Sequence, residues 1–196
     1  KAYKDSSVAM MRTATKRGHE VWAIQRAALN WREGRVAARA QKLILGSEDH
    51  PWYGIETEAV LPLTAFDAVL MRQDPPFDFE YVAATWLLER AEAEGARIWN
   101  KPRSIRDHSE KVAIAEFPQY APTTLIARDP VDIHAFIDEL AAVILTPLDG
   151  MGGSSIFRVT REDANRNVIV ETLTGFGARS IMAQRYLPAI SHGDKR

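Results

Sequence analysis

The chain has 196 residues, 46% of them hydrophobic, with 25 lysines and arginines against 26 aspartates and glutamates and no cysteine. That apolar fraction is too high for a disordered chain, and the balanced charge lacks the basic footprint of a nucleic-acid binder. Without cysteine there is no disulfide framework, thiolate nucleophile or cysteine-ligated zinc. The length holds one large domain or two small ones. No apolar run approaches the ~20 residues of a membrane-spanning helix. The first residue is Lys1 rather than Met, and Gly193-Asp194-Lys195-Arg196 reads as an interrupted loop, so the sequence is expected to be cut at both ends.

Asp5-Ser6-Ser7 is a helix-capping signal, and Val8, Met11 and Ala14 follow at helical spacing up to a stop at Gly18. Val21, Ala23 and Ile24 predict a short strand. Ala28 to Ile44, alternating around Arg32-Glu33-Gly34-Arg35, predicts a hairpin. Gly46 to Gly54 reads as a loop and Phe66 to Met71 as a buried strand. Asp74-Pro75-Pro76 ends that strand, and a helix from Phe79 to Glu94 follows, with an apolar face of Tyr81, Val82, Trp86 and Leu87 and a stop at Gly95. Arg97 to Trp99 predicts a strand, Ser104 to Glu116 a helix, and Thr123 to Ala127 a strand. Asp129-Pro130 opens a helix to Leu140, and Val143 to Leu145 is a further strand. After the glycine-rich loop from Asp149 to Ser155, Ile156–Thr160, Val168–Thr172 and Ile181–Leu187 alternate as strands. The alternation of helix and strand in the first half implies a parallel sheet, and the second half implies a mainly antiparallel one. The boundary is placed between residues 117 and 118.

Three stretches could carry chemistry. In Gly150-Met151-Gly152-Gly153-Ser154-Ser155 the glycines leave backbone N–H groups open to an anion, and the serines add hydroxyl donors. The alternative is a plain hairpin turn. The lysine-Ser/Thr ending of a Walker loop is missing, and no helix follows as a dinucleotide fingerprint requires. Lys111 either reaches a phosphate or belongs to a solvated helix face. Arg72 either holds a carboxylate beyond the end of a strand or belongs to a rigid turn that leads to Asp78 as a helix cap. The five histidines form no metal pattern, and no serine has a hydrolase context.

In order along the chain, Lys4-Asp5-Ser6-Ser7, Val69-Leu70-Met71-Arg72, Asp74-Pro75-Pro76-Phe77-Asp78, Asn100-Lys101-Pro102, Glu110-Lys111, Pro147 to Val159, Glu171-Thr172-Leu173-Thr174 and Tyr186-Leu187-Pro188-Ala189-Ile190 resemble prokaryotic glutathione synthetases of the ATP-grasp superfamily. The resemblance implies an α/β chain, with a parallel-sheet pre-ATP-grasp domain over residues 1–117 and the first part of an ATP-grasp domain over 118–196. It implies a cytoplasmic, homo-oligomeric ligase in which ATP phosphorylates the C-terminal carboxylate of γ-glutamylcysteine and glycine captures the acyl phosphate. By resemblance, Gly152, Gly153 and Ser154 act on the transferred phosphoryl. Lys111, Thr146, Gly150, Met151, the same Gly152, Gly153 and Ser154, Ser155, Gln184, Arg185, Tyr186 and Leu187 hold the nucleotide, the backbone of the last four reading adenine while Ile144 packs on its face. Arg72, Asp194 and Arg196 face the other substrates, and the loop serves as a lid. No nucleic-acid or membrane partner is expected. Thr146 stands where the family has a nucleotide-binding lysine, so weaker ATP binding is expected. Magnesium ligands are expected beyond Arg196. Two other readings stay open: a nucleotide-binding protein without turnover, and an ATP-grasp ligase for another amino-acid pair.

Overall fold

A computed structural model of the chain describes residues 2–46, 51–73, 76–150 and 154–193. The chain forms two units, one of Lys1–Asp74 with Phe79–Asp107, the other of Pro75–Asp78 with His108–Arg196. The division thus falls ten residues before the expected boundary. The expected helix from Ser104 to Glu116 is broken there, into α3 (Pro102–Asp107) and a 3-10 turn (Val112–Glu116).

The first unit opens with α1 (Ser6–Lys16), capped as expected: Asp5 Oδ1 accepts from the N–H groups of Ser7 (2.7 Å) and Val8 (3.1 Å). β1 (Trp22–Arg32) and β2 (Arg35–Leu45) form the hairpin. Its two-residue turn holds Glu33 at φ 49° and Gly34 at φ 88°, the pair of positive φ values that matches strand twist and favours glycine. The strand expected at Val21–Ile24 is continuous with β1, and a register shift between Ile24 and Leu29 accounts for the break in alternation. β3 (Tyr53–Pro62) adds antiparallel to β2 and was not expected. Residues Tyr53 to Glu58 are exposed on both faces, so no hydrophobic alternation marks them.

β4 (Val69–Leu70) and β5 (Ile98–Trp99) pair in parallel, with α2 (Phe79–Ala93) between them in sequence. Among the described residues parallel pairing is confined to these two short strands; the three long ones are antiparallel. α2 occupies its expected range but buries Tyr81, Ala84, Thr85, Leu88 and Ala91. Of the expected face only Tyr81 is buried, and Trp86 is half-exposed, edge-on to Phe79 at 6.0 Å. Small alanines let the helix backbone approach the core formed by Val36, Ala38, Leu63 and Ile98. Helix–sheet packing here selects side chains that fit, not the largest ones. Buried Thr85 donates to Val82 O (2.7 Å) and accepts from Arg106 (3.3 Å), which also pairs with Glu89 (2.8 Å).

On the hairpin sheet Lys42 bridges Glu20 (2.8 Å) and Glu56 (3.3 Å). The Lys42 hydrogen bond holds the Glu20 carboxyl below its ordinary pKa, and the same bond raises that of Lys42. The depressed carboxyl contributes stability above its unfolded pKa and loses it as pH falls through the folded one. The raised ammonium contributes below its unfolded pKa and loses it as pH rises through the folded one. Lys42→Met should therefore lower the melting temperature slightly near pH 7 and not at all near pH 2. An equal deficit at both pH values would show that the lysine acts through packing of its stem.

The second unit contains β6 (Thr124–Ala127), α4 (Pro130–Leu140), β7 (Ala142–Pro147), β8 (Phe157–Thr160), α5 (Arg166–Thr174) and β9 (Ile181–Arg185). The strands run in the order β6-β9-β7-β8, every pair antiparallel as expected. Asp129 caps α4 through the Val131 N–H (2.9 Å). The strand expected at Val168–Thr172 is helix α5. Its β-branched residues suit a strand by propensity, but Val170, Leu173 and Thr174 reach the core only at helical spacing, and packing overrides propensity. The Thr174 hydroxyl donates to Val170 O (2.7 Å), and Gly175 closes the helix in the left-handed region.

One face of this sheet carries Val143, Leu145, Val159, Ile181 and Ala183, packed with Ile133 and Ile137 of α4 and Val170 and Leu173 of α5. Because side chains alternate along strands, the opposite face carries Thr124, Ile144, Thr146, Arg158, Met182 and Gln184. The core that α4 and α5 form lies on the first face; on the second, Thr146 and Met182 are buried, Thr124, Ile144 and Gln184 are half-buried and Arg158 is exposed.

Candidate functional site

At one end of the second face, Thr146 of β7 lies opposite Met182 of β9. Both are buried. The half-buried Lys111, just before the 3-10 turn, reaches this end from the side. Its Nζ donates to Pro147 O (2.5 Å) and Gly150 O (2.7 Å) and lies 3.4 Å from Thr146 Oγ1. The ammonium thus closes the Pro147-Leu148-Asp149-Gly150 turn that leads into the glycine-rich loop. A Cβ at Gly150 would sit 3.0 Å from Pro147 Cγ, so a side chain there would require the proline ring to give way by a few tenths of an ångström. Ser154 and Ser155 are exposed on the far limb of the loop, ahead of β8. The loop therefore spans β7 and β8, as the sequence suggests. Met151, Gly152 and Gly153 lie outside the described residues.

Gln184 of β9 donates from its amide to Thr124 Oγ1 (3.0 Å). The Arg185 N–H bonds Thr123 O (2.9 Å), and the Tyr186 N–H bonds Ala142 O (3.1 Å). Those two N–H groups are spent within the sheet. Leu187, where β9 has ended, is exposed. Ile144 is half-buried between Gln184 and Arg158 in the register. Arg158 lies with its guanidinium carbon 4.1 Å from the Tyr186 ring centroid. Thr124 and Arg158 were not singled out from the sequence; their signal is the strand alternation combined with a pairing register that only the fold supplies.

Arg72 belongs to the first unit, where its Nη2 donates to Ser6 Oγ (3.1 Å). Asp194 and Arg196 lie outside the described residues. Among the described residues no group of three or more His, Asp or Glu side chains could hold a metal ion, and no helix is long and apolar enough to cross a membrane.

Residues 1–106 match the N-terminal domain of prokaryotic glutathione synthetase, and residues 110–196 match the ATP-grasp domain of the same family. Glutathione synthetase of Ralstonia nicotianae is 51% identical over 196 residues, covering all of this chain and 60% of that protein. That of Nitrosomonas europaea is 50% identical, covering 98% of this chain and 61% of that protein. The chain thus spans about three fifths of the length of these relatives. Among solved structures, D-alanyl-alanine synthetase A from Vibrio cholerae superposes with a TM-score of 0.55 at 13% identity, covering 92% of this chain and 54% of that one. A D-cycloserine synthetase superposes with a TM-score of 0.51 at 16% identity, covering 66% of this chain and 47% of that one. These two likenesses speak to the fold alone. With both halves matched in order and half of all residues shared over its full length, the chain belongs to the prokaryotic glutathione synthetase family.

Proposed function

We propose that this chain forms the nucleotide-binding part of an ATP-dependent ligase that joins γ-glutamylcysteine to glycine. The γ-phosphoryl group passes from ATP to the C-terminal carboxylate of γ-glutamylcysteine, and ADP leaves. The glycine amine then attacks the acyl carbon, phosphate departs, and the amine gives up a proton as the amide forms. One observation carries this reading: a lysine ammonium sits at the mouth of a glycine-rich loop, beside the sheet face opposite α4 and α5.

Phosphoryl transfer needs fixed positive charge and N–H donors more than covalent help from the protein. Lys111 supplies the charge. Its two carbonyl acceptors hold it at the loop until phosphates compete for it. Gly150, Met151, Gly152, Gly153, Ser154 and Ser155 supply donors and close over the acyl phosphate to exclude water. The adenine rests on Ile144, with its edge toward Leu187 and the carbonyl groups of the Gln184–Leu187 segment. Arg72 and the Asp194–Arg196 end serve the other substrates. Among the described residues no group of three or more His, Asp or Glu side chains is placed to hold magnesium.

The test is phosphate release by the whole protein that carries this sequence, given ATP, magnesium, γ-glutamylcysteine and glycine. Release is expected only with both substrates, because the acyl phosphate formed on one is discharged by the other. Release with γ-glutamylcysteine and a different amine, but not with glycine, would reassign the second substrate. ATP binding without amide formation would favour a nucleotide-binding protein without turnover, the reading that Thr146 in place of a lysine supports.

A further inference from the structure

Across the second face the register aligns one side chain from each strand: Arg158 of β8 opposite Ile144 of β7, Ile144 opposite Gln184 of β9, and Gln184 opposite Thr124 of β6. Thr124 and Gln184 are tied together by their hydrogen bond, and Ile144 forms an apolar shelf. At the other end of the row Arg158 leans past the small Ala142 onto Tyr186. The guanidinium carbon sits 4.1 Å from the ring centroid, a stacked cation–π arrangement. Tyr186 follows directly on β9, and its N–H is bonded to Ala142 O, so the ring has a fixed base.

Arg158 makes no ion pair among the described residues. With one face on an aromatic ring and no carboxylate partner, its other face and its N–H groups are left to meet a ligand. Its chemistry suits a planar ring: its second face can stack, and its N–H groups can meet ring nitrogens. The aromatic backing fixes the orientation of the guanidinium plane, as a stacking partner requires. The apolar shelf beside it at Ile144 would leave a phosphate without partners and suits a base.

From this row we infer that Arg158, backed by Tyr186, is a positioning residue for the purine base, its guanidinium reaching from β8 across β7 to the end of β9 and forming a wall of the base subsite there. The inference rests on the nucleotide-binding reading above and adds to it a residue on the loop-bearing hairpin. Because β8 follows the glycine-rich loop, a base stacked on Arg158 would also restrain the hairpin that carries the loop.

The experiment compares ATP with inorganic tripolyphosphate, which has the phosphates but no base, by calorimetry on the full chain. Arg158→Ala should weaken ATP binding about five- to tenfold, the scale of a partly desolvated cation–π contact, and leave tripolyphosphate binding within twofold. Arg158→Lys keeps the charge and loses the plane, so it should behave like the alanine variant. Tyr186→Leu should lose affinity for ATP but not for tripolyphosphate. Equal losses for both ligands in Arg158→Ala, with rescue by lysine, would make Arg158 a phosphate contact and overturn the inference. Unchanged ATP binding in Arg158→Ala would overturn it as well, while leaving the nucleotide-binding reading intact. A parent chain that binds neither ligand would overturn both.

Discussion

Removing the Lys111 ammonium as Lys111→Met is expected to weaken ATP binding by about 10- to 150-fold, the worth of one or two charge-assisted hydrogen bonds at roughly 1.5–3 kcal/mol. The side chain is half-buried and already ordered against Pro147 O and Gly150 O, so little conformational entropy remains to be lost when a phosphate takes over. The reverse change sharpens the test. Thr146→Lys would add a second ammonium on the strand position whose Oγ1 lies 3.4 Å from Lys111 Nζ. Without nucleotide the two cations would compete for the same carbonyl oxygens, and the melting temperature should fall. With ATP they share a polyanion, and affinity should rise by about 10- to 150-fold over the parent. Calorimetric titration beside thermal melts reads both effects. Loss of affinity in Thr146→Lys would show that the second lysine displaces Lys111 rather than joining it.

Ile137→Ala should cost the second unit about 2–5 kcal/mol. Ile137 is fully buried and packs from α4 onto the sheet face that carries Val143, Leu145 and Ala183. Truncation removes three carbons from a site walled by two helices and a sheet, which cannot collapse to fill the space. Urea denaturation should show a lower midpoint with an unchanged slope. Trp86→Ala, on the other unit, is the informative contrast. Trp86 is larger but half-exposed, with its ring contact limited to the edge of Phe79, so its cost should be about 1 kcal/mol or less. A large loss for Trp86→Ala and a small one for Ile137→Ala would mean that the buried faces of α2 and α4 are wrongly assigned.

Local chemistry determined a good part of this protein in advance. The Asp5 and Asp129 caps, the Glu33-Gly34 turn and the stops at Gly18 and Gly95 follow from groups that interact within a few residues of one another. The resemblance across both halves was legible for the same reason: its motifs are contiguous. Long-range packing decided the rest. β3 exists because β2 offers it a partner, although its own residues are mostly exposed. Residues Arg166–Thr174 are helical because Val170 and Leu173 must both reach the sheet core from one side. α2 turns the face of Tyr81, Ala84, Leu88 and Ala91 inward rather than its tryptophan because that face fits the space beside Val36 and Leu63.

The site divides in the same way. The glycine-rich loop stood out in the sequence because only glycine leaves the backbone bare. The engagement of Lys111 with Pro147 and Gly150 joins groups 36 and 39 residues apart, a distance that no local pattern reports. The row from Arg158 to Thr124 draws on four strands whose order is not their order in sequence. Strand alternation alone put each of these side chains on one of two faces. Which face carries the site was decided by where α4 and α5 buried their apolar sides, because the helices cover whichever side of the sheet removes more hydrocarbon from water.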